Sequence, residues 1–290
     1  MAEFLLSAFA DEGGKTIEEQ ISALKSNNLT HIEPRGINGV NISDFTSSMA
    51  KDLKKTLDEN GIGVSALGSP FGKIGIREDF APHFEKFKQG VENACILGTK
   101  NIRMFSFFME KDEPYEVYRD EVMERLEKMC DYSLKSGINC CHENEKGIYG
   151  DTDDRCLDIL VSLKGKIKGV FDPANFIQCG VDILPAYEKL REHIEYMHIK
   201  DAQFSDGSVV PPGSGDGHIK ELLALFAQKE GKRFLTLEPH LKVFDGLDKL
   251  EQKGGTADKL KNVFTYKTNS DAFRAAADAL HGLLAAVGCE

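Results

Sequence analysis

Apolar residues follow two alternating patterns along the chain. Short runs read as strands at residues 4–10 (FLLSAFA), 31–35 (HIEPR), 62–68 (IGVSALG), 101–108 (NIRMFSFF), 138–144 (INCCHEN), 168–174 (KGVFDPA), 195–202 (EYMHIKDA) and 234–241 (FLTLEPHL). Between them lie longer stretches of helical period, such as 16–28, 45–61 and 116–137. In the first, Ile17, Ile21 and Leu24 recur at i, i+4 and i+7, the stripe a helix presents to a sheet. Gly61 and Gly137 stand where a helix C-terminus is expected, just ahead of a strand. Eight strand-helix units in succession predict an α/β fold, a (β/α)8 barrel of the TIM type. An Ala-rich stretch from Asn269 to Val287 predicts a closing helix, and residues 242–267 form a polar insert after the eighth strand. No linker or charge block divides the chain, so one domain is expected over residues 1–290.

In such a barrel the active site lies at the C-terminal mouth, built from strand ends and the loops after them. Polar residues cluster at those ends. Glu33 and Arg35 close the second strand, Arg103 lies in the fourth, Glu143 closes the fifth and Asp172 lies late in the sixth. His198 and Lys200 close the seventh, Glu238 and His240 the eighth. Side chains alternate along a strand, which groups Glu143 with Cys141, His198 with Tyr196 and Lys200, and Glu238 with Thr236 and His240. If that face is the lumen, Glu143, Asp172, His198 and Glu238 converge from four consecutive strands. Three carboxylates and an imidazole suit one divalent metal ion, Mn²⁺, Co²⁺, Mg²⁺ or Zn²⁺. Glu33, Arg35, Arg103, Asn175 and His240 are then candidate substrate contacts. The competing reading is a salt-bridge network in which Arg35, Arg103 and Lys200 neutralise the carboxylates.

Other features shift the picture less. A formal net charge of -11 speaks against a nucleic-acid or anionic membrane partner and favours a small molecule. The start, MAEFLLSAFA, has an acidic flank and no signal-peptide pattern, and no run reaches membrane-spanning length. The seven cysteines have no Cys-x-x-Cys spacing and read as reduced thiols of a cytoplasmic protein. The loop VVPPGSGDGHIKELL (209–223) offers either substrate contact, phosphate included, or a tight turn with Asp216 as N-cap. Phe107, Phe108 and Met109 form a candidate apolar wall over a substrate or a contact in a homo-oligomer. His142, on the face opposite Glu143, reads as structural, and His31, His83, His193, His218 and His281 lie away from the mouth.

Several motifs carry a resemblance. His142-Glu143-Asn144, GVFDPANF (169–176), YMHIKDA (196–202), GSGDG (213–217) and LTLEPHL (235–241) together resemble the xylose isomerase-like TIM barrels described as sugar phosphate isomerases and epimerases. The resemblance implies that Glu143, Asp172, His198 and Glu238 are metal ligands and that Glu143 and Glu238 double as an acid/base pair. Asn175 and Phe204 occupy positions that hold a substrate-touching His and Arg in the ketose 3-epimerase branch. These departures, with Lys200-Asp201 and His240, point toward another branch or toward inosose dehydratase-like lyases. The expected function is metal-dependent isomerisation or epimerisation of a sugar, sugar phosphate or polyol through an enediolate, with Lys200 or His240 moving hydroxyl protons. The alternatives are a carbon-oxygen lyase on a keto-polyol, with Lys200 as acid to the leaving group, and a non-catalytic sugar-binding barrel.

Overall fold

The computed structural model describes residues 2–244 and 266–289. Most of the expected polar insert, 245–265, therefore lies outside the described residues. Nine parallel strands form the sheet: β1 (Glu3–Ala8), β2 (His31–Ile32), β3 (Gly63–Val64), β4 (Leu67–Gly68), β5 (Asn101–Met104), β6 (Asn139–Glu143), β7 (Ile167–Phe171), β8 (Ile194–Ile199) and β9 (Lys232–Leu237). Their order is β3-β2-β1-β9-β8-β7-β6-β5-β4. Strands β3 and β4 are two pieces of the expected 62–68 strand. The first pairs with β2 and the second with β5, so the expected eight staves form a nearly closed ring. At the break, Ser65 N–H still donates to Ile32 O, while Ser65 O accepts from Thr99 Oγ1 at 2.9 Å.

Helices form where the sequence caps them. Thr16 and Glu19 make a reciprocal capping box at the start of α1 (Ile17–Ser26), whose buried face carries Ile17, Ile21 and Leu24. Gly61 and Gly137 both adopt φ 69°, which suits a residue without Cβ. The chain thereby turns back so that Ile62 and Ile138 N–H reach Leu57 and Ser133 O. The closing helix spans Asn269–Val287, as the pattern predicts, with Thr268 and Asp271 as its capping box.

The observed strands are shorter than the apolar runs. In HIEPR only His31 and Ile32 join the ladder, because Pro34 has no N–H to give and the chain turns into a small hairpin of Gly36–Ile37 and Val40–Asn41. Likewise the seventh run ends at Ile199, and Asp201–Ala202 pairs antiparallel with Val209–Val210. Strand ends thus release their polar residues into the mouth.

Candidate functional site

Strand alternation stacks the lumen in layers. Cys141, Val170 and Tyr196 turn inward and pack with Ala66. Two residues further along each strand stand Glu143, Asp172 and His198, all buried. A side-chain bridge fixes the ends of β6 and β7 beyond their ladder: Asn144 Nδ2 donates to Asp172 O and Asn144 Oδ1 accepts from Asp172 N–H, both at 2.9 Å. Asp172 also caps the short helix Pro173–Gln178, its Oδ1 accepting from Asn175 N–H at 2.9 Å. That leaves Oδ2 turned toward Lys200 and the other strand-end groups.

Glu143, Asp172, His198 and Glu238 each offer one donor atom within 4.8 Å of the others. His198 Nδ1 lies 3.0 Å from Glu143 Oε1 and 3.5 Å from Glu238 Oε2, while Nε2 lies 3.4 Å from Glu33 Oε2. Glu33 in turn accepts from Tyr196 Oη at 3.0 Å. An imidazole with one nitrogen among carboxylate donors and the other backed by a carboxylate is the arrangement metal-ligating histidines use. Asp172 Oδ2 is buried without an aligned hydrogen bond. With His198 Nδ1 turned toward Glu143 and Glu238, the donor set fits a divalent ion.

Cations already surround these groups. Arg103 donates to Glu143 Oε2 at 2.8 Å, and Asn175 Nδ2 donates to Glu143 Oε1 at 3.2 Å. Lys200 Nζ lies 3.1 Å from Glu238 Oε2 and 2.9 Å from Asp172 Oδ2, the latter contact misaligned for a hydrogen bond. Burial opposes every charge here, but His198 and Arg103 hold Glu143 well below the usual carboxylate range. Against the same burial, Glu143 and Glu33 push the His198 imidazolium up to about 10. Burial drives Asp172 up to about 7 despite Lys200.

The cavity above is lined by Arg35, Arg103, Glu143, Lys200, Glu238 and His240, with Lys73, Glu145, Asn175 and Gln178 at its sides. Its free volume is about 20 Å³, room for about one water. Of the residues singled out in the sequence, Glu33 is fully buried and does not line this cavity; it supports His198 and Tyr196 from beneath.

A second cluster was not visible in the sequence. Asp11 and Glu12, in the turn after β1, meet Arg35: its Nε and Nη2 contact Asp11 at 3.0 and 2.9 Å, and Nη2 reaches Glu12 Oε1 at 3.1 Å. Nη1 donates to Glu238 Oε1 at 3.1 Å. The guanidinium lies between the rings of Phe9 and Phe244, at 4.4 and 4.7 Å. Gly68 makes room for Phe9, since a Cβ there would lie 2.7 Å from its ring. Glu12, Glu238 and His240 form a second group with metal-ligand spacing, but Arg35 already holds both of its carboxylates.

Burial pushes Glu12 up to about 8 in spite of Arg35. Its Oε2 accepts the backbone N–H of His240, which has φ 45°, at 2.6 Å. Glu12→Gln, keeping an acceptor, should cost under about 1 kcal/mol at neutral pH, whereas Glu12→Ala strands that N–H and should cost about 1–3 kcal/mol. Urea unfolding of the two variants checks this ordering.

The glycine loop corrects an expectation. Asp216 is not the cap of the helix Ile219–Phe226, whose N-cap position is His218 with φ 50° and no side-chain cap. Asp216 Oδ2 instead accepts from Phe204 N–H at 2.7 Å. The loop's anion is internal: Asp201 accepts from the N–H groups of Gly213, Gly215 and Gly217 at 2.8, 3.0 and 2.8 Å. A carboxylate thus fills the position a phosphate would take in such a nest. A Cβ on Gly215 or Gly217 would lie 2.5 or 2.6 Å from Asp201 Oδ1, which explains both glycines. Asp201→Ala should destabilise the protein by about 2–4 kcal/mol and speed amide exchange across 209–217. Inorganic phosphate should leave the wild-type exchange unchanged.

The remaining expectations are resolved by contacts. His142 is buried, bonded to Ser106 Oγ at 3.0 Å, and pushed down to about 4 by burial. His83 accepts from Gly72 N–H at 2.8 Å. Phe107 and Met109 are buried in the core, and neither they nor Phe108 wall the cavity; the aromatics against its lining cations are Phe9, Phe105 and Phe244. All seven cysteines are free. Among the described residues no helix is long and apolar enough to cross a membrane.

Comparison with known proteins agrees with this architecture. No curated protein matches the chain. A solved L-ribulose 3-epimerase superposes with a TM-score of 0.72 at 16% identity, covering 99% of this chain and 96% of that one. The IolI protein with a bound zinc atom gives 0.71 at 14%, covering 98% of each. The probable 3-DHS dehydratase AsbF of Bacillus anthracis, involved in petrobactin synthesis, gives 0.69 at 16%, covering 97% of this chain and 99% of that one. Likeness at these identities speaks to the fold. Residues 21–262 match the sequence signature of the xylose isomerase-like TIM barrel. With that match running from α1 past the last strand, the chain belongs to the xylose isomerase-like TIM barrel family.

Proposed function

We propose that the protein is a divalent-metal-dependent isomerase or epimerase of a small sugar or sugar-like polyol. The observation that carries this reading is the convergence of Glu143, Asp172, His198 and Glu238, from four consecutive strands, to within 4.8 Å. Those four residues would hold the ion. When bound, it supplies Lewis acidity toward a carbonyl and its neighbouring hydroxyl.

The chain's own groups do the rest. Glu143, kept ionised by Arg103, takes the proton from the carbon beside the carbonyl, and Glu238 returns one from the opposite wall. Asn175 holds Glu143 in place through Oε1. Arg35 and Arg103 stay positive and orient substrate oxygens at the cavity wall. The glycine loop, filled by Asp201, is not where a substrate phosphate binds, which favours an unphosphorylated substrate there.

A second reading is a carbon-oxygen lyase that shares the first proton removal and then expels a hydroxyl. It is favoured by the position of Lys200, whose ammonium stands at the cavity wall beside Glu238 and carries a proton for a leaving group.

The test has two parts. Elemental analysis of wild type beside His198→Ala should show about one equivalent of divalent metal in the former, with occupancy lost in the latter. A panel of ketoses, aldoses and inososes in D₂O should then show deuterium at the carbon beside the carbonyl. Retained oxygen count identifies the isomerase, and loss of water the lyase. A protein that takes up no metal and exchanges no carbon-bound proton would refute both.

A further inference from the structure

Two cations that contact Glu238, Arg35 and Lys200, are held in different ways. Arg35 is fixed from every side by Asp11, Glu12, Glu238, Phe9 and Phe244. A planar fork with matched acceptors and ring faces does not leave such a place easily. Lys200 is different. Its ammonium is a point charge on a flexible stem, set between Asp172 Oδ2 and Glu238 Oε2 at 2.9 and 3.1 Å. Only the contact to Glu238 has hydrogen-bond alignment.

These are two of the four groups that would hold a metal. Metal-oxygen bonds are about 2.0–2.6 Å long, so an ion bound to both oxygens would stand close beside an ammonium left in place, like charge against like charge in a dry site. Lys200 is also buried, with 5% of its side chain exposed, and the free volume beside it is about 20 Å³. It cannot simply swing into water from where it stands, yet it lines the cavity together with Glu145, an acidic group that attracts it.

We propose that Lys200 is a resident counter-ion of this site, and that a divalent metal enters by displacing its ammonium from between Asp172 and Glu238. The proposal rests on the metal-dependent reading of the site and adds a cost to loading it. In the unloaded protein the lysine neutralises Asp172 and Glu238 as Arg103 neutralises Glu143. In the loaded protein the ion takes the lysine's place, and Lys200 moves toward Glu145 and the cavity. Metal affinity is accordingly weaker than the four ligands alone would provide.

The experiment is titration of Mn²⁺ and Zn²⁺ into chelator-stripped full-length protein by calorimetry with chelator competition. Wild type is compared with Lys200→Met and with Lys73→Met. Lys73 lines the same cavity but pairs with Glu145, at 2.8 Å, and not with the four ligands. Removing it reports the general effect of one less positive charge. Lys200→Met should bind at least about tenfold more tightly than wild type, against less than about threefold for Lys73→Met. Unloaded Lys200→Met should melt below unloaded wild type, and saturating metal should close the gap. If Lys200→Met does not fold unloaded, Lys200→Gln gives the same comparison with a polar side chain.

Equal gains in the two lysine variants, or no gain at Lys200, would overturn the displacement while leaving a metal site intact. Absence of uptake in wild type and all variants would instead remove the metal-dependent reading on which the proposal rests.

Discussion

Glu143→Gln and Glu238→Gln should each lower turnover by about 10²–10⁴-fold, the usual worth of a positioned acid or base. Glutamine preserves the volume and one acceptor oxygen, so Asn175 keeps its contact with position 143. What is lost is the negative charge that takes a proton. Because each residue is also a candidate ligand, metal content has to be measured beside the rate. A variant that keeps its metal yet loses exchange of the carbon-bound proton places the defect in proton transfer. Wild-type turnover in both variants would remove the acid/base roles altogether. Thermal melts complete the comparison, since Arg103 loses the charge it pairs with at 2.8 Å in Glu143→Gln.

The largest loss of stability is expected at Arg35. Its three carboxylate partners, Asp11, Glu12 and Glu238, are all nearly or fully buried. In Arg35→Met, Glu238 keeps Lys200 and burial pushes Glu12 up to about 8, but Asp11 loses both of its charge-assisted contacts. Removing one side of a buried ionic cluster costs about 3–5 kcal/mol, to be read as a lower urea midpoint of the unloaded protein at unchanged slope. Arg35→Lys should fall between: it restores charge but cannot match the two-pronged contact with Asp11. A change below about 1 kcal/mol in Arg35→Met would mean that protons or water neutralise those carboxylates instead.

Most of the architecture was legible because barrel strands advertise themselves as apolar runs separated by helical period. The polar residues of the mouth were legible for a related reason, standing at strand ends in step with alternation: Glu143 above Cys141, His198 above Tyr196. Strand boundaries were read too long where the chain turns away, as at Pro34 and after Ile199. Asp11 and Glu12 were missed because they follow β1 in a turn that carries no periodicity, Phe9 was read only as part of the first strand, and their partner Arg35 is over twenty residues away. Asp201 was read with the seventh strand and the glycines as a loop of their own. Only folding brings Asp201 back against N–H groups 12 to 16 positions later. Asn144 is a further case: a residue at the end of an apolar run proved to be a side-chain continuation of the sheet.

The carboxylate inside the glycine loop has a consequence for timing. A loop that closes around a phosphate from solution orders itself anew with each molecule that arrives, and part of the binding free energy is spent on that ordering. Here the anion is tethered three residues beyond His198, and its local concentration never changes. The ordering entropy is spent once, when the chain folds, so that stretch of the rim needs no ligand to order it.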